Sequence, residues 1–140
     1  MVESTEFLDW FETPDGAFNI HGCCIRLGEA GLLVTGASGI GKTQLSFELL
    51  ERASLFSGLE PSAWVSDDRT RLALEKSSSL EGGVWSASAP PSLRGQVELR
   101  FFGPVAVNSQ DRVDCTHCVH LCDANAVARV QADATERNLP

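Results

Sequence analysis

The sequence is poor in basic side chains. Eleven lysines and arginines stand against nineteen aspartates and glutamates, which gives a formal net charge of −8. A chain with this balance has little unspecific attraction for nucleic acid or for an anionic membrane surface. We therefore expect small molecules or soluble proteins as partners, and neither nucleic acid nor a membrane. With 140 residues, the chain has the length of a single domain.

Long apolar runs and secretory features are also lacking. The first sixteen residues are acidic and contain no basic segment, so they match neither an export signal nor a membrane anchor. The five cysteines are an odd number, and Cys23 and Cys24 are adjacent, which argues against a disulfide framework. We expect a cytoplasmic protein with reduced thiols.

The N-terminal segment shows a short helical pattern. Apolar side chains recur at helical spacing before Pro14 and Gly16 interrupt them, at Phe7, Leu8, Trp10 and Phe11. We expect residues 1–16 to form an arm, with a short amphipathic helix, and residues 17–140 to form one domain on which the arm packs.

The rest of the chain alternates strand and helix patterns. Residues 18–27 and 32–35 predict two strands joined by a turn at 28–31, and the helix formers after Lys42 predict a helix. Further predicted elements are strands at 63–66, 70–74, 84–88, within 96–107 and near 119–122, a polar turn at 77–83, and a helix near 125–132. The pattern indicates an α/β domain with a mixed sheet and few helices.

A glycine-rich loop lies between the second strand and the helix. The segment GASGIGKT meets the phosphate-loop pattern with Gly36, Gly41, Lys42 and Thr43, in the required strand-loop-helix context. Backbone N–H groups of such a loop and the positive end of the helix bind phosphates, the lysine reaches the β and γ phosphates, and the threonine holds Mg²⁺. We expect ATP and Mg²⁺ to bind at Gly36, Ser38, Gly39, Ile40, Gly41, Lys42 and Thr43.

Two adjacent carboxylates follow the next predicted strand. Asp67 and Asp68 come after AWVS, at the strand end where open α/β sheets place their ligands. One of the two carboxylates can hold the metal while the other accepts the proton of an acceptor hydroxyl. A solvated Asp-Asp turn is the alternative, which the phosphate loop upstream disfavours.

Three blocks of the sequence together resemble the catalytic domain of HPr kinase/phosphorylase, a bacterial serine kinase of the phosphocarrier HPr. They are His21-Gly22, the loop at 36–43 with VSDD at 65–68, and LRGQVELRFFGPVAV at 93–107. The last block is similar to the family signature through Gly95, Glu98, Arg100 and Gly103.

The resemblance implies a fold of the HPr kinase/phosphoenolpyruvate carboxykinase-like type and a role in regulating carbon and nitrogen metabolism. It implies that Lys42 contacts phosphates, that Thr43 and Glu98 bind Mg²⁺, that Asp68 takes the serine proton, and that His21 belongs to the active site. With Asp68 as the base, we assign Asp67 to the metal. It also implies an HPr-type carrier as partner and a homo-oligomer, since the family forms hexamers. Taken alone, Glu98 is a charged residue in a strand, and a lone histidine is more often structural.

The sequence departs from the family pattern in places. Phe101 stands where the family has a glycine, in a segment tied to the phosphorylase reaction, so that activity is in doubt. A C-terminal family arginine has no matching position, although Arg112 and Arg129 are available. The chain is expected to be a short form without the N-terminal domain of longer members.

The tail contains a cluster of potential soft-metal ligands, namely Cys115, His117, Cys118, His120 and Cys122. Structural zinc normally takes two pairs of ligands separated by a longer loop, and a second pair is present here only if Cys23, Cys24 or His21 comes close in space. Thiols packed within the fold are the preferred interpretation, with a metal site as the alternative.

The leading hypothesis is an ATP-dependent serine kinase of an HPr-type carrier. A small-molecule kinase is a rival, but no arginine-rich lid segment is present. The other rival is a nucleotide sensor that binds ATP without transferring phosphate. ATP, GTP and pyrophosphate are all compatible with the loop, because base pockets have no short motif.

Overall fold

A computed structural model describes residues 9–77, 80–99 and 103–126 of the chain. The expectations for Phe7, Leu8, Phe101 and residues 127–132 fall outside these ranges. No helix in the described part is long and apolar enough to cross a bilayer.

The centre of the fold is the predicted hairpin of β2 (Phe18–Leu27) and β3 (Ala30–Gly36). The two strands are antiparallel, with Cys24 opposite Leu33. β3 ends at Gly36, the first glycine of the phosphate loop, so the loop is held directly by the sheet. The predicted hairpin is confirmed, and its second strand is longer at both ends than expected.

In the described residues eight strands form one mixed sheet. Besides β2 and β3 they are β1 (Trp10–Glu12), β4 (Ser62–Ser66), β5 (Arg69–Ser77), β6 (Leu80–Ser88), β9 (Arg112–Asp114) and β10 (His117–Leu121). The pairing of β10 with β3 is parallel and the other pairings are antiparallel. A separate two-stranded sheet contains β7 (Gln96–Leu99) and β8 (Gly103–Ala106).

The predicted helix is α1 (Lys42–Arg52), which begins directly after Gly41. It packs on one face of the sheet, where Cys23, Ile25, Val34 and Trp64 are buried. The opposite face has its own core, with Ile20, Cys24, Leu33, Val65, Leu72 and Ala87. Because neighbouring residues of a strand point to opposite faces, Cys23 lies on the helix side of the sheet and Cys24 on the other.

Some local predictions are wrong. Trp10 and Phe11 lie in a strand and not in a helix. β3 pairs with β2 only from Gly22 onwards, so the backbone N–H and C=O groups of Phe18–Ile20 on that edge are free to pair with β1. The predicted polar turn at 77–83 is shorter, since β6 already begins at Leu80.

The C-terminal region also differs from its pattern. β9 was not predicted, and it has only three residues. The strand near 119–122 begins earlier, at His117, and a short 3₁₀ turn occupies Ala124–Ala126.

Candidate nucleotide-binding site

The phosphate loop has the backbone that its glycines permit. Gly39 has φ of 80° and Gly41 has φ of 110°, conformations that residues with a Cβ rarely adopt. A Cβ at either position would meet no atom within 4 Å, so the strain of the backbone and not a steric clash favours glycine there. Glycine-rich loops of this kind can direct successive backbone N–H groups towards an anion.

Lys42 is buried within this loop, with 7% of its surface exposed. Its Nζ donates hydrogen bonds to the carbonyl oxygens of Gly36, at 2.9 Å, and of Ala37, at 3.0 Å. The ammonium is thus held at the start of the loop, where it can exchange these partners for phosphate oxygens.

Thr43 and Asp67 meet on the helix side of the sheet. Thr43 Oγ1 donates to Asp67 Oδ1 at 2.9 Å, and the Cys23 thiol donates to the same oxygen at 3.2 Å. Burial raises the pKa of Cys23 to about 12, so the thiol stays protonated and acts as a donor. β4 ends at Ser66, and the side chain of Asp67, the next residue, is buried against the first turn of α1. A hydroxyl beside a buried carboxylate fits a hard cation such as Mg²⁺.

His21 connects Lys42 with Asp68. Its Nε2 lies 3.3 Å from Lys42 Nζ, and its Nδ1 lies 3.6 Å from Asp68 Oδ1. Because the ammonium only donates, Nε2 acts as the acceptor and the ring proton of the neutral form is on Nδ1, facing Asp68. Asp68 has φ of 66°, and its side chain is 62% exposed, in contrast to Asp67.

A cavity of about 720 Å³ opens over these groups. It brings together eight of the residues expected from the sequence, namely His21, Ser38, Gly39, Gly41, Lys42, Thr43, Asp67 and Asp68. It is also lined by five residues that were not assigned to the site: Cys23, Gln44, Phe47, Glu48 and Glu51. The last four are spaced at i, i+3, i+4 and i+7 on α1, so they share one face of the helix. The helical period of the sequence could therefore have predicted them.

Three further residues were considered for the site from the sequence. Glu98 belongs to β7 in the separate sheet, and its metal-binding role remains a prediction. Arg112 is exposed and pairs with Glu75 at 3.0 Å. Arg129 lies outside the described residues.

The tail does not form the alternative metal site in the described part of the chain. No three histidine, cysteine, aspartate or glutamate side chains converge there on one point. His120 Nδ1 instead lies 2.9 Å from Thr35 Oγ1, across the β3–β10 pairing. Burial raises the pKa of Cys115 to about 12, and it also raises the pKa of Cys118. This segment supports the strand that leads into the phosphate loop.

No protein-family model matches the chain. The HPr kinase/phosphorylase of Bacillus subtilis (strain 168) is 30% identical over 118 residues, which covers 78% of this chain and 33% of that protein. That of Geobacillus sp. (strain WCH70) is 28% identical over 130 residues, covering 86% of this chain and 37% of that protein. The chain is thus similar to the HPr kinase/phosphorylases. It spans about a third of the length of these curated relatives.

A solved structure agrees with this relationship. The Hpr(Ser) kinase/phosphatase from Coxiella burnetii matches with a TM-score of 0.62 at 19% identity, over 82% of this chain and 65% of that one. The α/β phosphate-loop kinase fold, with its mixed sheet and one described α-helix, is therefore confirmed. The resemblance to HPr kinase/phosphorylase that the motifs indicate is confirmed as well.

Proposed function

We propose that this protein is an ATP- and Mg²⁺-dependent serine protein kinase that phosphorylates an HPr-type carrier in the cytoplasm. The observation that carries the proposal is the different placement of two adjacent carboxylates. Asp67 is buried against Thr43, whereas Asp68 is exposed to the cavity beside His21. The names of the curated relatives, which are HPr kinase/phosphorylases, support the choice of acceptor.

The donor side is formed by the loop and by α1. The backbone of 36–43 receives the β and γ phosphates, and Lys42 turns from its two carbonyl partners to the phosphate oxygens. Thr43 and Asp67 would hold Mg²⁺, which neutralises charge on the phosphates when it is bound. Cys23 keeps Asp67 oriented by donating to Oδ1.

The acceptor side is formed by Asp68 and His21. Asp68 accepts the proton of the serine hydroxyl while the serine oxygen bonds to the γ phosphorus. The bond from that phosphorus to the bridging oxygen breaks, and ADP leaves with the electron pair. His21, held at Nε2 by Lys42, presents Nδ1–H towards Asp68 and positions its carboxylate.

The proposal is tested with purified protein, ATP, Mg²⁺ and the HPr-type carrier of the same organism, followed by intact mass spectrometry of the carrier. We expect a gain of one phosphate, which is lost in Lys42→Ala and in Asp68→Asn. Lys76→Ala and Asp111→Asn are the matched controls, because both side chains are exposed and neither lines the cavity. They should phosphorylate the carrier as the wild type does.

ATP binding without any gain of mass on the carrier would contradict the kinase proposal. It would favour a nucleotide sensor, for which Asp68→Asn changes little. Transfer of phosphate to a small hydroxyl compound, but not to the carrier, would favour a small-molecule kinase.

A further inference from the structure

The two aspartates of the site connect two strands that share one edge of β2. β4 pairs with this edge up to Ser66, and β5 pairs with it from Arg69 onwards. Asp67 and Asp68 therefore form the whole connection, and Asp68 has φ of 66° within it. Residues with a Cβ rarely adopt this conformation, so contacts around the connection must hold it.

Backbone hydrogen bonds fasten the connection to Gly22 of β2. The Gly22 N–H donates to the carbonyl oxygen of Asp68 at 2.9 Å, and the Arg69 N–H donates to that of Asp67 at 2.7 Å. Gly22 packs directly on β3, since a Cβ at this position would lie only 2.6 Å from the carbonyl oxygen of Val34. Gly22 is thus a fixed point in the sheet against which the connection is held.

Two buried hydroxyls flank the same connection. Ser66 is the residue before the aspartates, and Thr70 is the second residue after them. Thr70 Oγ1 donates to the carbonyl oxygen of Gly22 at 2.9 Å and also shares a hydrogen bond with Ser66 Oγ. Because this bond to Gly22 uses the one hydroxyl proton of Thr70, Ser66 is the donor in the bond between the hydroxyls. A chain of hydrogen bonds therefore runs from Ser66 through Thr70 to Gly22.

This hydroxyl pair joins the two ends of the connection to the same glycine. Neither hydroxyl lines the cavity over the phosphate loop, so the pair lies beneath the site and not in it. Two apolar side chains would fill the same buried space without the cost of burying hydroxyls. A fully satisfied buried network instead fixes one arrangement of the backbone around it.

We propose that Ser66 and Thr70 are positioning residues for Asp68. By tying the start of β5 to Gly22, their hydroxyls hold the Asp68 backbone at positive φ, with its carboxylate towards His21. The inference rests on the proposed function, in which Asp68 takes the proton of the acceptor serine. Neither hydroxyl touches the reacting groups.

The kinetic test removes the central hydroxyl. Thr70→Val keeps the shape of the side chain but leaves the Gly22 carbonyl without this donor. We expect kcat for phosphorylation of the carrier to fall about tenfold or more, which is a part of the contribution of a general base. The KM for ATP and the calorimetric affinity for Mg-ATP should stay within about twofold of the wild type, because the loss concerns the transition state.

Two variants separate positioning from general stability. Thr70→Ser retains the hydroxyl and should keep kcat within about threefold of the wild type. Leu72→Val is the matched control, because Leu72 lies two residues further along β5, on the same face, and is also buried. It weakens the packing but removes no hydrogen bond, so kcat should not change.

Native-state hydrogen exchange, followed by ¹⁵N NMR, measures the connection without any turnover. In Thr70→Val the amides of Gly22 and Arg69 should exchange about tenfold or more faster relative to the amides of the β2–β3 pairing, since an unpaired buried carbonyl favours local opening. Leu72→Val should leave this ratio unchanged. Ser66→Ala removes only the first donor and is the milder variant if Thr70→Val does not fold. It should shift both readouts in the same direction.

Equal kcat in the wild type and Thr70→Val, or an equal loss in Thr70→Ser and Leu72→Val, would overturn the positioning role. The two proposals fail separately. If the wild type does not phosphorylate the carrier but the exchange of Gly22 depends on Thr70, the kinase proposal falls and the hydroxyl pair still holds the connection. If the carrier is phosphorylated and neither readout depends on Thr70, the positioning role falls and the kinase proposal stands.

Discussion

Thr43 Oγ1 and Asp67 Oδ1 are 2.9 Å apart, although twenty-four positions separate the two residues in the chain. This contact puts the hydroxyl that follows the loop lysine against a buried carboxylate at the end of β4. Asp68 takes no part in it, because its backbone turns to φ of 66° and its side chain faces His21. The two neighbouring aspartates therefore have different surroundings and, under the proposed function, different roles.

Separate substitution of the two aspartates should have different kinetic effects. Asp67→Asn should raise the Mg²⁺ concentration needed for half-maximal activity by about 10-fold to 100-fold, as changes around metal ligands do. Asp68→Asn should lower kcat by about 10²-fold to 10⁴-fold, the usual contribution of a general base, and leave Mg-ATP affinity unchanged. Mg²⁺ titrations of phosphorylation and calorimetric ATP binding distinguish the two. Identical effects of both variants would contradict the division of roles.

Alanine substitutions at two glycines should distinguish an effect on ATP binding from an effect on stability. Gly39 and Gly58 have φ of 80° and 85°, and a Cβ at either would meet no atom within 4 Å. Alanine at either position should therefore cost a similar free energy of unfolding, about 1–2 kcal/mol, measured in urea. Gly39→Ala alone should weaken ATP binding in calorimetry, because only that residue lines the cavity. Equal ATP affinity of both variants would argue against phosphate binding at the loop.

Cys23 should matter as a donor and not as a nucleophile. Cys23→Val keeps much of the apolar volume but removes the hydrogen bond of 3.2 Å to Asp67, whereas Cys23→Ser retains a donor. Loss of a donor to a buried charged group costs about 1–3 kcal/mol. We expect the valine variant to need more Mg²⁺ for ATP binding and the serine variant to resemble the wild type. If both variants behave alike, the thiol has only a packing role.

Stability should fall in alkaline solution because of the buried thiols. Burial raises the pKa of Cys115 to about 12 and places that of Cys24 well above its ordinary value. An unfolded cysteine loses its proton at about pH 8.5. Above that pH the unfolded state therefore binds fewer protons than the folded state. The stabilisation is complete below that pH and is lost as the pH rises towards 12.

The alkaline effect can be measured by urea unfolding at pH 8 and at pH 10.5. The chain has no tyrosine, so no phenol titrates together with the thiols in this range. Cys115→Ala should reduce the fall in unfolding free energy between the two pH values, while Lys76→Ala, at an exposed site, should leave it unchanged. If the unfolding free energy of Cys115→Ala falls as much between the two pH values as that of the wild type, this thiol ionises as readily in the folded state as in the unfolded state.

The sequence by itself determined the phosphate loop, the strand before it and the helix after it. These features depend on residues that are neighbours in the chain: glycines at fixed spacing, a lysine and threonine after them, and apolar residues with a helical period. The same local pattern predicted the β2–β3 hairpin. The sequence also pointed to Asp67 and Asp68, which directly follow a recognisable strand and line the cavity, while their roles remain predictions.

Only the tertiary structure decided which aspartate meets Thr43, that Cys23 touches Asp67, and that Arg69 lies beside His21. It also replaced the expected N-terminal helix with β1, since the free edge of β2 is a property of the assembled sheet. The physical reason is common to all of them. Each depends on the register between strands that are distant in the chain, and a shift of one residue would move every side chain to the other face.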